Sequence, residues 1–85
     1  MIHWRMQVLQ QMTRYNLTPT EQRIALQLLR ARSNPEVAAT LGITERTVKS
    51  HLSEMMRKTQ THNRVGLVLA ILAVDVGDDD DLLAS

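Results

Sequence analysis

Apolar side chains recur every three or four residues in successive segments of this 85-residue chain, which is the spacing of amphipathic helices. In the first segment the stripe comprises Trp4, Val8, Met12 and Tyr15, widened by Ile2, Met6 and Leu9. The pattern predicts a helix within residues 1–16 that covers the core. Two further roles stay open for this helix, as a dimerisation element or as the end of a linker to another domain.

The second predicted helix has a clear start. Thr18 can cap it, Pro19 fits its first position, and Glu21 can reach back to the amide of the capping residue. The helical spacing continues to about Arg32. Its inward side is predicted to consist of Ile24, Ala25, Leu28 and Leu29.

A short third helix and a turn follow. Asn34 is the predicted cap, Pro35 takes the first helical position, and the helix ends at Leu41. Gly42 can adopt the positive φ that ends a helix, and Ile43 supplies the apolar side chain of the turn. With a further helix beginning directly afterwards, this arrangement predicts a helix-turn-helix.

The helix after the turn has an apolar and a polar side. Thr44 is its predicted cap, and Glu45 places a negative charge in the first turn, where the helix dipole favours one. The inward positions are Val48, Leu52 and Met55, with Met56 as a further candidate. The opposite side is polar and mostly cationic, and it carries Arg46, Thr47, Lys49, Ser50, Ser53, Arg57 and Lys58. Since the major groove of DNA admits one helix, this polar side is predicted to dock there.

The last predicted helix, residues 64–74, is capped by Asn63 and is apolar on nearly every side. A helix of this kind needs burial on two sides, and a chain this small can cover one of them with its own core. The other side is therefore predicted to meet a second subunit. Gly77 is expected to stop the helix.

Charge is divided unevenly along the chain. All ten Lys and Arg residues and four Glu residues lie in residues 1–64, a net charge of +6, whereas residues 65–85 carry five Asp residues and no base, a net charge of −5. This division suggests a body that binds polyanions and an acidic tail. For the tail, a solubilising end and an autoinhibitory segment that folds over the basic side are both open interpretations.

Several classes of protein are excluded by composition. The absence of cysteine removes disulfides and thiolate metal sites, and the longest apolar run, residues 67–74, is too short to cross a bilayer. The first residues show no secretory signal. Because the three histidines are scattered and no phosphate-binding glycine loop is present, we expect no catalytic site, no metal and no cofactor.

One known family shares these signals in the same order. They are the sequence Leu17-Thr-Pro-Thr-Glu21, residues 34–41, and the sequences Ile43-Thr-Glu45, Thr47-Val-Lys-Ser-His51 and Asn63-Arg-Val65. Over residues 17–72 the chain resembles the LuxR/GerE-type DNA-binding domain of bacterial transcriptional regulators. The resemblance implies an all-α fold, a four-helix helix-turn-helix bundle to which this chain adds an N-terminal helix. The expected units are residues 1–16, the domain of residues 17–76 and a flexible acidic tail of residues 77–85.

The resemblance implies sequence-specific DNA binding with the recognition helix, residues 44–58, in the major groove, by a homodimer. Thr47 and Lys49 match family positions that contact phosphates or bases, Ser50 and Ser53 match positions that meet base edges, and His51 matches a histidine that packs or touches phosphate. The full set expected at DNA is Thr44, Arg46, Thr47, Lys49, Ser50, His51, Ser53, Arg57, Lys58 and Arg64.

The cationic members of that set are expected to neutralise about four to six phosphates, so that log affinity falls against log salt with a slope of about −4 to −5. Dimerisation is expected through Val65, Val68, Leu69 and Leu72 of the last helix.

The chain departs from the family pattern at several positions. Ser53 stands where many relatives carry a longer basic side chain, which predicts modest sequence preference. Ala31 replaces a frequent glycine at the end of the scaffold helix, and Gly66 replaces a common acidic residue. Thr59-Gln60 replaces Leu-Gly, which removes a core anchor and a residue suited to positive φ.

Two other classes of protein stay open. A module similar to region four of sigma factors also binds promoter DNA by a helix-turn-helix and binds polymerase as well, and a protein-interaction domain of this fold need not bind DNA. The fourth helix predicted from Asn63-Arg-Val65 favours the LuxR type.

Besides double-stranded DNA and a second copy of the chain, RNA polymerase and other regulators stay open as partners. The expected location is the bacterial cytoplasm, in the nucleoid when the chain is bound to DNA, and no membrane contact is expected.

Overall fold

The chain is all-helical over residues 3–74, the part that the computed structural model describes. The five helices are α1 His3–Arg14, α2 Pro19–Leu29, α3 Asn34–Leu41, α4 Glu45–Thr59 and α5 Arg64–Ile71. Between residues 3 and 74 there is no strand. The predicted all-α class is confirmed, whereas the predicted acidic tail, residues 77–85, and the stop at Gly77 lie outside the described residues.

Side-chain caps begin four of the helices. The Thr18 hydroxyl accepts from the Glu21 amide at 3.2 Å, and the Glu21 carboxylate accepts from the Thr18 amide at 2.8 Å, which confirms the predicted capping box of α2. Thr44 caps α4 and Asn63 caps α5, as predicted. Each such cap contributes about 1 kcal/mol.

The cap of α3 is Ser33, and the prediction of Asn34 was wrong. The Ser33 hydroxyl accepts from the Glu36 amide at 3.3 Å, and the Glu36 carboxylate accepts from the Ser33 amide at 2.9 Å. A cap at Ser33 places a glutamate three residues later, where it closes a second capping box, whereas a cap at Asn34 would place Val37 there. The hydrogen bond from the Ser33 amide holds the pKa of Glu36 below its ordinary value.

All five helices end in the same closure. A residue with positive φ follows the helix, and the next amide donates to a carbonyl five residues back, as from Arg32 to Gln27 and from Thr61 to Met56. The positive-φ residues are Asn16, Ala31, Gly42, Gln60 and Ala73. This closure ends α2 at Leu29 and α5 at Ile71, about three residues before the predicted ends in both cases.

Replacement of Ala31 or of Gln60 by glycine is expected to stabilise the fold by about 0.5–1 kcal/mol each. A left-handed conformation costs an L-residue about 1–2 kcal/mol, and glycine removes this cost. Part of the gain is lost because glycine makes the unfolded chain more flexible. Both residues have φ near +58°. Urea unfolding of Ala31→Gly and Gln60→Gly measures the effect.

Ala39→Gly is the matched control, because Ala39 is exposed within α3 at an ordinary helical position. This variant is expected to lose about 1 kcal/mol. If Ala31→Gly and Gln60→Gly lose stability in the same way, these two residues do not have the left-handed conformation.

The core lies where α2, α3, α4 and α5 meet. Its fully buried members include Ile24 of α2, Val37 of α3, Val48 and Met55 of α4 and Leu67 of α5. Of the inward positions predicted for α4, Val48, Leu52 and Met55 are buried, and Met56 is partly buried against the core. Thr59, which replaces a leucine of the family pattern, is also buried, and its hydroxyl donates to the carbonyl of Met55 at 2.9 Å.

Helix α1 lies against α5 and the core. Val8 and Met12 are buried, and the Gln11 side-chain amide donates to the carbonyl of Ala70 at 2.9 Å. Trp4, one turn before Val8 on the same side, and Leu9 stay exposed. The prediction of a helix that covers the core is confirmed for the part of α1 that contains Val8 and Met12.

The described residues include neither a membrane-spanning helix nor a metal-binding cluster. Over residues 3–74 no helix has the length and apolar character needed to cross a membrane. The same residues contain no group of histidine and acidic side chains that could hold a metal ion.

Candidate nucleic-acid interface

The turn between α3 and α4 is built from local hydrogen bonds and one apolar contact. Gly42 has φ +68°, and the Ile43 amide donates to the carbonyl of Ala38 at 3.0 Å. The Ile43 side chain packs against the core. At the start of α4 the Thr44 hydroxyl accepts from the Thr47 amide at 3.1 Å and lies 2.9 Å from the Thr47 hydroxyl. The turn therefore orients α4 against α3 as a helix-turn-helix requires.

Helix α4 presents one exposed stripe, which we call the recognition stripe. It lies opposite the buried side chains of α4 and consists of Arg46, Lys49, Ser50, Ser53 and Arg57. These residues are spaced by three or four positions, so they share one side of the helix. With a rise of 1.5 Å per residue, the stripe is about 16 Å long.

Two cations of the recognition stripe have no partner among the described residues. Within residues 3–74, neither Arg46 nor Lys49 makes a hydrogen bond or an ion pair, and both are exposed. Ser50 and Ser53 follow them along the stripe and are also exposed. The middle of the stripe thus has short side chains, and unpaired positive charge lies towards the N-terminus of α4.

Arg57, at the other end of the stripe, is paired. Its Nε donates to both carboxylate oxygens of Glu54, at 3.1 and 3.0 Å, and its terminal nitrogen contacts the same carboxylate. Glu54 is therefore the surface ion-pair partner of Arg57. The hydrogen bonds from Arg57 hold the pKa of Glu54 below its ordinary value. The pair is exposed, so its contribution to stability is small and a phosphate can compete for Arg57.

Lys58 is not on the free polar side where the sequence pattern placed it. Its side chain is only 15% exposed, and its Nζ donates to the Glu21 carboxylate at 2.6 Å and to the carbonyl of Asn16 at 3.1 Å. Lys58 therefore ties the end of α4 to the start of α2. The helical spacing indicates only that Lys58 lies next to the inward side of α4, three residues after Met55; its partner Glu21 is 37 positions away in the sequence.

Burial alone would raise the pKa of the Glu21 carboxyl. The hydrogen bonds from Lys58 and from the Thr18 amide outweigh burial and hold that pKa below its ordinary value. Glu21 is therefore charged at neutral pH although its side chain is almost fully buried.

Arg64 is also engaged within the domain. Its guanidinium donates to the Asn34 side-chain oxygen at 2.6 Å and to the carbonyl of Arg32. These bonds join the start of α5 to the connection between α2 and α3. Of the other residues predicted at DNA, His51 is half-buried, and Thr44 and Thr47 are exposed beside the recognition stripe.

The residues predicted for dimerisation lie on one side of α5 with unequal exposure. Val65 is 68% exposed, whereas Val68, Leu69 and Leu72 are partly buried. The three partly buried residues line grooves next to α1. Leu69 lines one groove together with Gln11 and Tyr15, and Val68 and Leu72 line another together with Trp4. The free part of the predicted interface is thus centred on Val65, near the start of α5.

Comparison with known proteins agrees with this geometry. The model of the family described as "Bacterial regulatory proteins, luxR family" matches residues 15–71, more than half of the chain. The chain belongs to the luxR family. The matched luxR-family region includes all of α2, α3, α4 and α5.

Several known bacterial proteins are similar to the chain. It is 40% identical over 55 residues to the two-component response regulator PprB of Pseudomonas aeruginosa, a match that covers 65% of this chain and 20% of the relative. It is 36% identical over 69 residues to the glycerol metabolism activator of Pseudomonas putida, covering 81% of this chain and 29% of the relative. A transcriptional regulatory protein of Bacillus subtilis, YhcZ, is 36% identical over 55 residues, a match that covers 65% of this chain and 26% of the relative.

The chain spans less than a third of the length of these luxR-family relatives. No solved structure gives a significant match. The family match and the regulators among the relatives support a DNA-binding transcriptional regulator.

Proposed function

We propose that this chain binds double-stranded DNA with the recognition stripe of α4 in the major groove, as the DNA-binding part of a transcriptional regulator. The observation that carries the proposal is the free polar stripe on a helix whose opposite side is buried against α3. B-DNA's major groove is about 12 Å wide and admits one helix. The short side chains of Ser50 and Ser53 allow the backbone of α4 to approach the base edges closely.

The residues of this surface have different roles in the proposal. Lys49 and Arg46 neutralise phosphates and fix the position of the helix, while the hydroxyls of Ser50 and Ser53 meet base edges. Thr44, Thr47 and His51 flank the stripe and contact the backbone. Lys58 and Arg64 hold the domain together through their internal bonds, so they support the surface without neutralising phosphate.

This division of roles changes the expected salt dependence. One domain offers two free cations and the shared Arg57, so log affinity is expected to fall against log salt with a slope of about −2 to −3. Two domains on one DNA double the slope to about −4 to −6. The slope predicted from the sequence for one chain is therefore expected only for a dimer.

We infer that a homodimer binds two half-sites, because one small domain makes too few base contacts to select a site in a genome. The exposed side of α5 around Val65 supports this inference, since no residue between 3 and 74 covers it. Each domain then supplies one recognition stripe, and the distance between the half-sites follows from the α5 contact.

Lys49→Ala is expected to weaken binding to random-sequence and selected duplexes alike and to make the salt slope shallower by about 1 for each domain bound, because it removes one phosphate contact. Fluorescence anisotropy with a labelled duplex, titrated at several salt concentrations, measures both effects. Ser53→Ala is a useful companion, since it should change preference among sequences and leave the slope unaltered.

Arg23→Ala is the matched control, because Arg23 lies in a groove lined only by α1, α2 and the residue after α2, away from α4. This variant should keep the slope. If Lys49→Ala keeps the original slope, or if the intact chain does not bind random duplex at low salt, the recognition stripe is not a DNA surface. The protein-interaction class would then be favoured.

A further inference from the structure

A groove between α1 and α2 has an apolar floor that the described part of the chain leaves open. It encloses about 520 Å³, and three of its floor residues, Trp4, Leu9 and Leu26, are each between 43% and 57% exposed. Large apolar side chains grouped in this way on a small domain mark a contact surface. The groove lies outside the recognition stripe, since no residue of α4 lines it.

The rim of this groove is positively charged. Arg5, Arg23 and Arg30 line it, and no acidic side chain does so. Within residues 3–74, none of these three arginines takes part in an ion pair, and the Arg5 guanidinium lies 5.5 Å from the centre of the Trp4 ring. An occupant that fits the groove therefore carries negative charge beside apolar side chains.

We propose that this groove binds the C-terminal segment of the same chain, residues 78–83. That segment consists of four consecutive aspartates followed directly by Leu82 and Leu83. The negative charges of the aspartates complement the positive charges of the three arginines. The two leucines supply apolar side chains for the floor of Trp4, Leu9 and Leu26. This inference is independent of DNA binding.

The segment has the length to reach the groove. Leu72, at the end of α5, lines an adjoining groove of about 340 Å³ together with Trp4, Leu26 and Arg30. From Val74, the nine residues that lead to Leu83 can span about 30 Å when extended. The floor of the groove along α1, from Trp4 to Met12, is about 12 Å long.

Short tethers give an effective concentration on the order of 1 mM, so a free-peptide dissociation constant of about 0.1 mM is enough to keep about nine-tenths of the chains docked. Binding of this strength is within reach of two leucines that become fully covered in an apolar groove.

The recognition stripe is the other positive surface available to the acidic segment. It offers Arg46 and Lys49 but no exposed apolar side chain beside them. On that surface the aspartates would find partners while Leu82 and Leu83 stayed in water. The groove satisfies both halves of the segment, which favours it over the recognition stripe.

Trp4 is the chain's one tryptophan and provides a direct measurement. Because Trp4 is 49% exposed, its cover by the segment is expected to reduce acrylamide quenching of tryptophan fluorescence by about half. In the intact chain, Leu82→Ser with Leu83→Ser, and separately the change of residues 78–81 to asparagine, should each raise quenching about twofold. Leu82→Ile with Leu83→Ile is the conservative control and should leave quenching low.

A reversal of charge tests the rim. Arg23→Glu with Arg30→Glu is expected to raise quenching to the level of the leucine variant, and Arg46→Glu with Lys49→Glu, an equal change of charge on α4, is expected to leave it unchanged. The proposal is overturned if quenching is the same in the intact chain and in the leucine variant. It is also overturned if protection of Trp4 depends on protein concentration, which would indicate a contact between two chains.

Discussion

Replacement of Glu21 by alanine is expected to lower the free energy of unfolding by about 3 kcal/mol at neutral pH, a large part of the about 5–10 kcal/mol available to a domain of this size. The Glu21 carboxylate accepts from Lys58 and from the Thr18 amide, at 2.6 and 2.8 Å. Its loss leaves the ammonium of Lys58 without a partner in a place where its side chain is 15% exposed, and it opens the capping box of α2.

The pH dependence identifies the carboxylate as the cause. Since the pKa of Glu21 is lowered in the folded chain, the stability that it contributes is fully present above its ordinary pKa of 4.5 and is lost as the pH falls through the lower folded value. The difference between the intact chain and Glu21→Ala should therefore be largest at neutral pH and shrink in acid. Taking the difference removes the similar acid dependence of Glu36 and Glu54, whose pKa values are also lowered.

A double-mutant cycle with Lys58→Met separates the ion pair from the cap. Chemical unfolding of the two single variants and the double variant should give a coupling energy of about 1–3 kcal/mol. Additive losses would show that Glu21 stabilises the fold through the cap alone. Lys58→Met is the suitable partner because methionine keeps most of the apolar stem in its place.

Val65→Asp is expected to reduce affinity for DNA with two half-sites by about a hundredfold, because the second domain then no longer binds as part of the same complex. Val65 is 68% exposed, so the substitution should change the stability of the single domain by less than about 0.5 kcal/mol. An aspartate in the first turn of α5 is also favourable to the helix dipole. The loss is therefore not an effect of unfolding.

Sedimentation in the presence of a two-site duplex, combined with anisotropy on one-site and two-site duplexes, measures this effect. Affinity for the one-site duplex should be unaltered. Met6→Asp is the control, because Met6 is 53% exposed on α1 and lies away from α5. If Val65→Asp still forms a two-domain complex with the affinity of the intact chain, the dimer contact is elsewhere.

The starts of the helices were predictable from sequence because they depend on local chemistry. Thr18, Thr44 and Asn63 each place a side-chain oxygen within reach of an amide three residues later, and the structure has all three caps. Ser33 was missed although its Glu36 carries the same local signal. The adjacent Asn34 and Pro35 form an equally common start, so the choice between the two needed the coordinates.

The ends of the helices and the engaged cations were less predictable. Ala31, Gln60 and Ala73 have no preference for the left-handed conformation, and the packing of the next segment imposes it on them. Lys58 meets Glu21 across 37 positions of sequence, so their contact follows from the fold and not from the local pattern. The residues of the recognition stripe were nearly all predictable because they follow helical spacing alone.

In the DNA complex that we propose, the bond between Lys58 and Glu21 also decides which partner adapts. Helix α4 is held at its start by the turn at Ile43 and at its end by this bond, so it is preorganised for docking. A helix held in this way cannot tilt to follow an irregular groove. DNA sequences that differ in bending and groove width are then bound with different energies. The surface, whose base-reading side chains are two small serines, can therefore select among sequences without base contacts.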